Sequence, residues 1–488
     1  MEIADLLKEK LSEKAVSSKP EDLAGFMLSN PLIKKGVSPR LVIRPGNVPD
    51  LQEVVRTANR QKSGLVPVSS ARPHIRGGLC CSKQHMIVDL SSWKKIPFVD
   101  RRNRVCLIEP GVSYGELISV LKPEGMTVSM PLAPRDGKSV LAAVMDREPS
   151  TWPNKQWDIQ DPLASSEFIF GNNELFRTGA GGSPGTLEAQ RQSGGAQKGP
   201  LGPSQTDFQR VVQGSQGSMG IVTWITMRTE VLPVLQEPRL VGSDDLDRLI
   251  SYVYEVQRPL LGEHSFIIDR TATAMLMTYD NTGSFDQVRR SLPAYICLQN
   301  IAGFDRLPKK RVEYQMIDIG EIAARHGLSL ESSLGMVSAR DLLLRATTPC
   351  GPEDWRHSLG GHCLSLIMLA TLDQSPALIK VFEETARRYG VDSLQIGTYL
   401  QPVVQNHACH LELMAPFNPQ DPDEVARMGR LEAEAVKGLN HAQAYFSRPY
   451  GTAEKIVFKN NPANTELLKK AKDIFDPNHV LQPGKFGI

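Results

Sequence analysis

Pro67-Val-Ser-Ser-Ala-Arg-Pro-His-Ile-Arg-Gly-Gly78 leaves a short apolar run, Leu65–Ser69, that has the length of a buried strand. Ser69, Ser70, Gly77 and Gly78 are small enough for backbone N–H groups to approach an anion, and Arg72 and Arg76 bring positive charge to it. The loop matches neither G-x-G-x-x-G nor the P-loop, so it supports neither a Rossmann dinucleotide site nor an NTPase. Taken alone it also reads as an ordinary polar turn.

Outward from this loop the pattern is strand, helix, strand. Arg40–Arg44 reads as a strand stopped by Pro45-Gly46. Asn47–Gln61 carries Val48, Leu51, Val54, Val55 and Ala58 at helical spacing. Met86–Leu90 and Arg104–Pro110 read as strands and Ser113–Leu121 as a helix. Ahead of them, Ile3–Leu11 and a start at Pro20-Glu21-Asp22 predict two covering helices. Short strands alternating with helices predict an α/β or α+β domain. Glycines crowd residues 179–205, which predicts a surface loop. A second glycine loop, Gly214-Ser-Gln-Gly-Ser-Met-Gly220, precedes the β-rich run Ile221–Leu232, and Pro233–Pro238 reads as a domain boundary. Beyond it, helices at Asp244–Gln257, Pro376–Tyr389 and Asp423–Leu439 mix with strands at Ser265–Asp269, Leu364–Leu369 and His410–Met414. That mixture predicts an antiparallel sheet covered on one side by helices.

Composition bounds the partners. With 488 residues the chain is long enough for two or three domains, and its 41% hydrophobic and 23% charged residues are globular values. Lys+Arg 56 against Asp+Glu 54 gives a net charge of +2, which is no electrostatic footprint for nucleic acid. No apolar run reaches membrane-span length and Met1–Lys14 lacks a secretory core, so a cytoplasmic protein without a membrane span is expected. The 7 cysteines include no C-x-x-C pair, which argues against a metal or iron–sulfur site in the chain.

The segments together resemble the vanillyl-alcohol oxidase / p-cresol methylhydroxylase (PCMH) flavoprotein superfamily, in the family's order. They are the Pro67–Gly78 loop, Val88–Ile96, Ile108–Leu117 and Gly171-Asn-Asn-Glu-Leu-Phe-Arg-Thr-Gly-Ala-Gly-Gly182. Gly217-Ser-Met-Gly-Ile-Val-Thr223 and the closing Phe475–Ile488 complete the set. The resemblance implies an α+β, two-domain PCMH-type FAD-binding fold. The FAD domain would be 1–235, with the tail 472–488 returning to it. The cap, or substrate domain, would be 236–471, an antiparallel sheet covered by helices, with the flavin ring at the junction. FAD would lie against Ser69, Ser70, Arg72, His74, Arg76, Gly77 and Gly78 on one side. Gly214, Gly217, Gly220, Ile221, Val222 and the C-terminal Lys485 would face it from the other. The family tethers FAD covalently in several members, which makes His74, His407 and His410 candidates. Non-covalent FAD is the expectation.

The Arg-Thr-Gly form of the hairpin is typical of members that oxidise para-substituted phenols. The resemblance then implies Tyr114 and Arg448 as holders of a phenolate, and Asp158 as the acid/base beside the reacting carbon. On the residues alone, Arg448 among Tyr445, Phe446 and Tyr450 also reads as an arginine stacked on aromatics. Tyr114 also reads as a half-buried helix start and Asp158 as a surface carboxylate. The family's tyrosine next to the arginine is Ser447 here. The lead expectation is an FAD-dependent oxidoreductase of small aromatic alcohols or para-alkylphenols. The alternatives are a 2-hydroxy-acid dehydrogenase, with Arg448 on a carboxylate and His407 or His410 as base, and a non-catalytic flavoprotein subunit. A homodimer is expected, with oxygen, a cytochrome or an iron–sulfur partner taking the electrons.

Overall fold

The computed structural model describes residues 2–27, 30–32, 37–75, 79, 83–155, 161–182, 185–192, 207–280, 283–403 and 407–487. Arg76, Gly77, Gly78, Cys80, Cys81, Asp158 and most of the glycine-rich stretch at 193–206 lie outside them.

The first sheet orders β1 (Val16–Ser17), β2 (Leu41–Ile43), β4 (His85–Asp89) and β3 (Gly64–Val68), with β2, β4 and β3 parallel. Parallel strands need a crossover, and α3 (Val48–Gln61) supplies it between β2 and β3. Asn47 caps α3 by accepting from Asp50 N, Pro49 sits in its first turn, and Lys62 ends it in the left-handed conformation. Its buried stripe, Leu51, Val54, Val55 and Ala58, packs with Ile3 and Leu7 of α1 (Ile3–Lys10) over the sheet. Next to the short helix α2 (Pro20–Ala24), Phe26 covers the other face. The chain's end closes the edge at β3. Leu65 N donates to Val480 O (2.7 Å) and Gln482 N to Leu65 O (2.8 Å).

The second sheet is antiparallel throughout: β5 (Phe98–Asp100), β6 (Val105–Ile108), β10 (Gly220–Arg228), β8 (Leu163–Phe170) and β9 (Leu175–Arg177). A ribbon of β7 (Met126–Thr127) and β11 (Glu230–Val231) lies beside it. Helices α4 (Tyr114–Leu121) and α5 (Val140–Met145) pack their apolar sides into its core. The short helices α6 (Leu187–Gln192) and α7 (Gln209–Val212) flank the undescribed glycine-rich residues.

The third sheet has six antiparallel strands in the order β12 (Leu235–Ser243), β14 (Tyr295–Gly303), β13 (Ser265–Asp269), β18 (Gly397–Val403), β19 (Ala408–Phe417) and β17 (His362–Ala370). Side chains alternate between its faces. Ile267, Leu364, Leu366, Leu411 and Leu413 pack under α8 (Leu246–Gln257), α11 (Pro308–Arg325), α13 (Ser375–Arg388) and α14 (Pro422–His441). Phe266, Ile268, Tyr399 and Met414 point the other way. There α9 (Arg270–Thr278), α10 (Phe285–Arg290) and α12 (Ala339–Ala346) meet Leu132 and Ala133 of the first half. This corrects the expectation of a sheet covered on one side. Both faces are covered, and the second one is turned toward the FAD-binding half. A hairpin of β15 (Ser333–Leu334) and β16 (Val337–Ser338) precedes α12, and α15 (Gly451–Asn460) and α16 (Pro462–Phe475) lead into the tail.

Candidate functional site

A cavity of about 250 Å³ lies where the first two sheets face the third. Val68–Ile75 forms one wall, and its shape is fixed from behind. Ala71 N donates to Gly137 O (2.8 Å), Ser139 N to Ser70 Oγ (3.1 Å) and Arg135 Nη1 to Arg72 O (3.1 Å). The facing wall is the turn into β10. Gly217 has φ +82, and a Cβ there would come within 2.8 Å of Pro67 Cγ. Only glycine holds this turn without displacing the first wall.

Two buried polar atoms on these walls lack partners among the described residues. Gln216 Oε1 is one. His74 Nε2 is the other, on a ring stacked against Phe26 at 5.5 Å. Burial, with Arg135 and Arg72 nearby, lowers the His74 pKa to about 4, so the imidazole is neutral. Small residues, free backbone and orphaned polar atoms around one cavity fit a large dinucleotide with a pyrophosphate.

Residues 39–179 match the family model described as an FAD binding domain. The fold is that of p-cresol methylhydroxylase with substrate bound, at a TM-score of 0.82 and 18% identity, covering 100% of this chain and 96% of that one. It is equally that of the 4-ethylphenol oxidase from Gulosibacter chungangensis, at 0.83 and 18%, with the same coverage. The chain thus carries an FAD binding domain within the fold of the PCMH-type flavoproteins. It is an FAD-dependent oxidoreductase. It is also similar to the D-2-hydroxyglutarate dehydrogenase of Stutzerimonas stutzeri (strain A1501), 21% identical over 92% of this chain and 91% of that protein.

In this FAD-linked oxidoreductase, Ser69, Ser70, His74, Gly217, Gly220, Ile221 and Val222 all line the one cavity. Arg72 lies over the Phe26 ring at 4.8 Å and donates to Asp22 O. Gly214 bonds Met145 O through its N–H (2.7 Å). Lys485 is buried, paired with Glu454 at 2.9 Å and set over the Tyr450 ring at 5.3 Å. His407 is exposed on a turn. His410 is buried on β19, edge-on to Tyr399. Neither is among the residues that line the cavity.

The cap side of the cavity carries charges in matched sets. Arg448 is buried and sits 3.4 Å from Glu148, which Lys138 also reaches at 2.6 Å. Tyr114 is buried in the core of the FAD-binding half. Burial and the Glu148 charge both push its pKa well above ordinary. Arg356 grips Glu412 with two bonds of 2.8 Å and reaches Asp354 at 3.2 Å. Burial opposes the Arg356 charge, but the two carboxylates outweigh it and keep the guanidinium protonated. Below this set, His264 accepts from Trp152 Nε1 and bonds Thr151 Oγ1, both at 2.8 Å, and burial drives its pKa to about 3. That pair of bonds ties the first half's chain to β13 just before the undescribed 156–160.

Sequence reading missed Arg356, Glu412, Asp354, Glu148 and Lys138. For one of them a signal was present. Glu412 is a lone charge inside the apolar run Leu411–Met414, and a buried charge requires a partner.

Proposed function

We propose that this FAD-dependent oxidoreductase oxidises the benzylic carbon of a small para-substituted phenol or aromatic alcohol. The observation that carries the reading is Arg448, a buried guanidinium in the small pocket beside the cavity, held 3.4 Å from Glu148 of the cavity wall. FAD, when bound, supplies the hydride acceptor. The chain's residues do the rest. Glu148 takes the phenolic proton, and Arg448 and Lys138 hold the phenolate that results. Tyr114, whose pKa burial and the Glu148 charge raise, keeps its own proton and serves as a donor. Pro131, Leu132, Pro134, Leu141 and Met145 line the cavity and exclude water from the ring. Asp158 is the proposed proton carrier for the water that adds to the oxidised carbon. The chain is taken as two units, 1–235 with 472–488, and 236–471.

Relatedness to D-2-hydroxyglutarate dehydrogenase over most of the chain favours a second reading, oxidation of a 2-hydroxy acid. Against it stands the charge balance on the cap side: Lys138 and Arg448 already face Glu148, and Arg356 faces Glu412 and Asp354, so these three cations offer little attraction to an anionic substrate. Anaerobic bleaching of the flavin separates the two. 4-Ethylphenol or vanillyl alcohol should reduce it within seconds. Reduction by D-lactate or D-2-hydroxyglutarate alone would replace the first reading with the second.

A further inference from the structure

A compartment of about 90 Å³ adjoins the cavity and shares the wall residues Ile75, Asp354, Arg356 and Tyr450 with it. It runs beside β17, the last strand of the cap sheet, whose outer edge meets Tyr445 at Leu369. Ser365 and His362 of β17, Glu432 of α14 and Arg448 line it.

Two polar side chains here are left over by the fold. His362 is 4% exposed and stacks on His357 at 4.3 Å. Its Nδ1 accepts from Cys363 N (2.9 Å), which places the ring proton on Nε2, and Nε2 has no partner among the described residues. Burial, reinforced by His357, lowers its pKa to about 4, so it is a neutral donor at physiological pH. Glu432 is 9% exposed, and burial alone lifts its carboxyl to about 7. The arginines that line the compartment are matched already, Arg356 by Glu412 and Asp354, and Arg448 by Glu148. A buried donor without an acceptor is unfavourable, and such groups persist where something else completes them.

We infer that this compartment is a specificity subsite for an uncharged oxygen-bearing substituent of the substrate, a hydroxyl, methoxy or carbonyl set apart from the carbon that is oxidised, with His362 Nε2–H as its donor. A carboxylate does not suit it, because it would lie near Glu432 with no unmatched cation to hold it. The inference rests on the main cavity being the seat of substrate oxidation.

Two sets of ligands test it on the FAD-loaded protein, by half-saturation of the flavin absorbance change under anaerobic conditions. The aromatic set is 4-ethylphenol, 4-ethylcatechol and 5-ethylsalicylate. The hydroxy-acid set is D-lactate, D-glycerate and D-malate. In each set the second member adds a hydroxyl and the third a carboxylate. On whichever scaffold responds, the added hydroxyl should lower half-saturation about tenfold, the size of one buried hydrogen bond. The added carboxylate should not. His362→Phe should abolish the gain and leave the parent ligand within about twofold, well under one hydrogen bond. His362→Gln, which keeps an N–H donor, should retain part of it. Equal half-saturation of parent and hydroxyl analogue overturns the inference, as does a tighter carboxylate analogue, a gain that survives His362→Phe, or no response on either scaffold. A hydroxyl gain confined to the hydroxy acids keeps the subsite and removes the phenol reading. Phenols that reduce the flavin without any such gain do the reverse.

Discussion

Arg448 illustrates what a single charge does in this site. It is buried against Glu148, and removing it leaves Glu148 with Lys138 as its nearest cation. Arg448→Ala should slow flavin reduction by about 2 to 4 kcal/mol of transition-state stabilisation, the size of a charge-assisted contact in a dry site. FAD content, read from the 450 nm absorbance of the purified variant, should stay near wild type. Loss of flavin in proportion to activity would instead give the residue a structural role. Glu432 makes the opposite kind of prediction, because burial disfavours its charge. Its pKa is about 7 in the fold against 4.5 for the free side chain. Between those values the native state holds a proton that the unfolded chain has lost, so this group's contribution to stability falls as pH rises through that window and is level above it. Glu432→Gln should therefore match wild type near pH 4.5 and exceed it at pH 8 by about 3 kcal/mol, because each tenfold difference in proton affinity between folded and unfolded chain is worth about 1.4 kcal/mol. Urea unfolding at both pH values checks this, and a pH-independent difference would contradict it.

At the scale of elements, the last helix holds the turn Gly214–Gly220 from behind. Lys472 on α16 donates to Asp476, to Ser218 O and to Leu481 O, and Asp476 also accepts from Val480 N (3.0 Å) and Leu481 N (2.8 Å). One buried ion pair thus ties α16, the tail that extends β3, and the turn Gly214–Gly220. Lys472→Met leaves Asp476 buried without its cation, a loss of about 3 to 5 kcal/mol. FAD affinity should fall with stability, since Ser218 lies on the cavity's own turn. Pairing it with Asp476→Asn should recover part of both, measured by denaturant melts and by FAD titration of the apoprotein. Gly217→Ala acts on the turn alone. Its φ of +82 and the 2.8 Å approach to Pro67 Cγ predict weaker FAD binding with the rest of the fold intact.

At the scale of the molecule, the two halves are joined by bonds that flank the cavity. Ala133 N donates to Ala346 O (3.0 Å), Cys350 N to Pro134 O (2.9 Å), Asp136 N to Gly351 O (2.7 Å) and Ser265 N to Thr151 O (3.1 Å). FAD bound between them should raise the melting temperature of the whole chain. At a hundredfold excess over Kd the stabilisation is about 2.7 kcal/mol. Far-UV circular dichroism should show it as a shift of one transition. A shift of only part of the signal would mean that the halves unfold separately.

Local pattern was enough for the elements that carry it. The stripe of Leu51, Val54, Val55 and Ala58 marked α3, and the short apolar runs marked β3, β4 and β13, because 3.6- and 2-residue periods are written directly in the chain. The order of glycine loops brought together Ser69, Ser70, His74, Gly217, Gly220, Ile221 and Val222, which line one cavity, since backbone approach to an anion demands small residues and the sequence shows where they are. It was silent on β14 and α11, whose buried faces are decided by the sheet they pack on. It was silent too on the pairing of Arg356 with Glu412 and of Arg448 with Glu148, residues 56 and 300 positions apart. Those pairs exist because the cap sheet turns its second face to the FAD half and removes water from every charge caught between them. Which charge meets which, and so which side chains are left free for a substrate, is fixed by that packing alone.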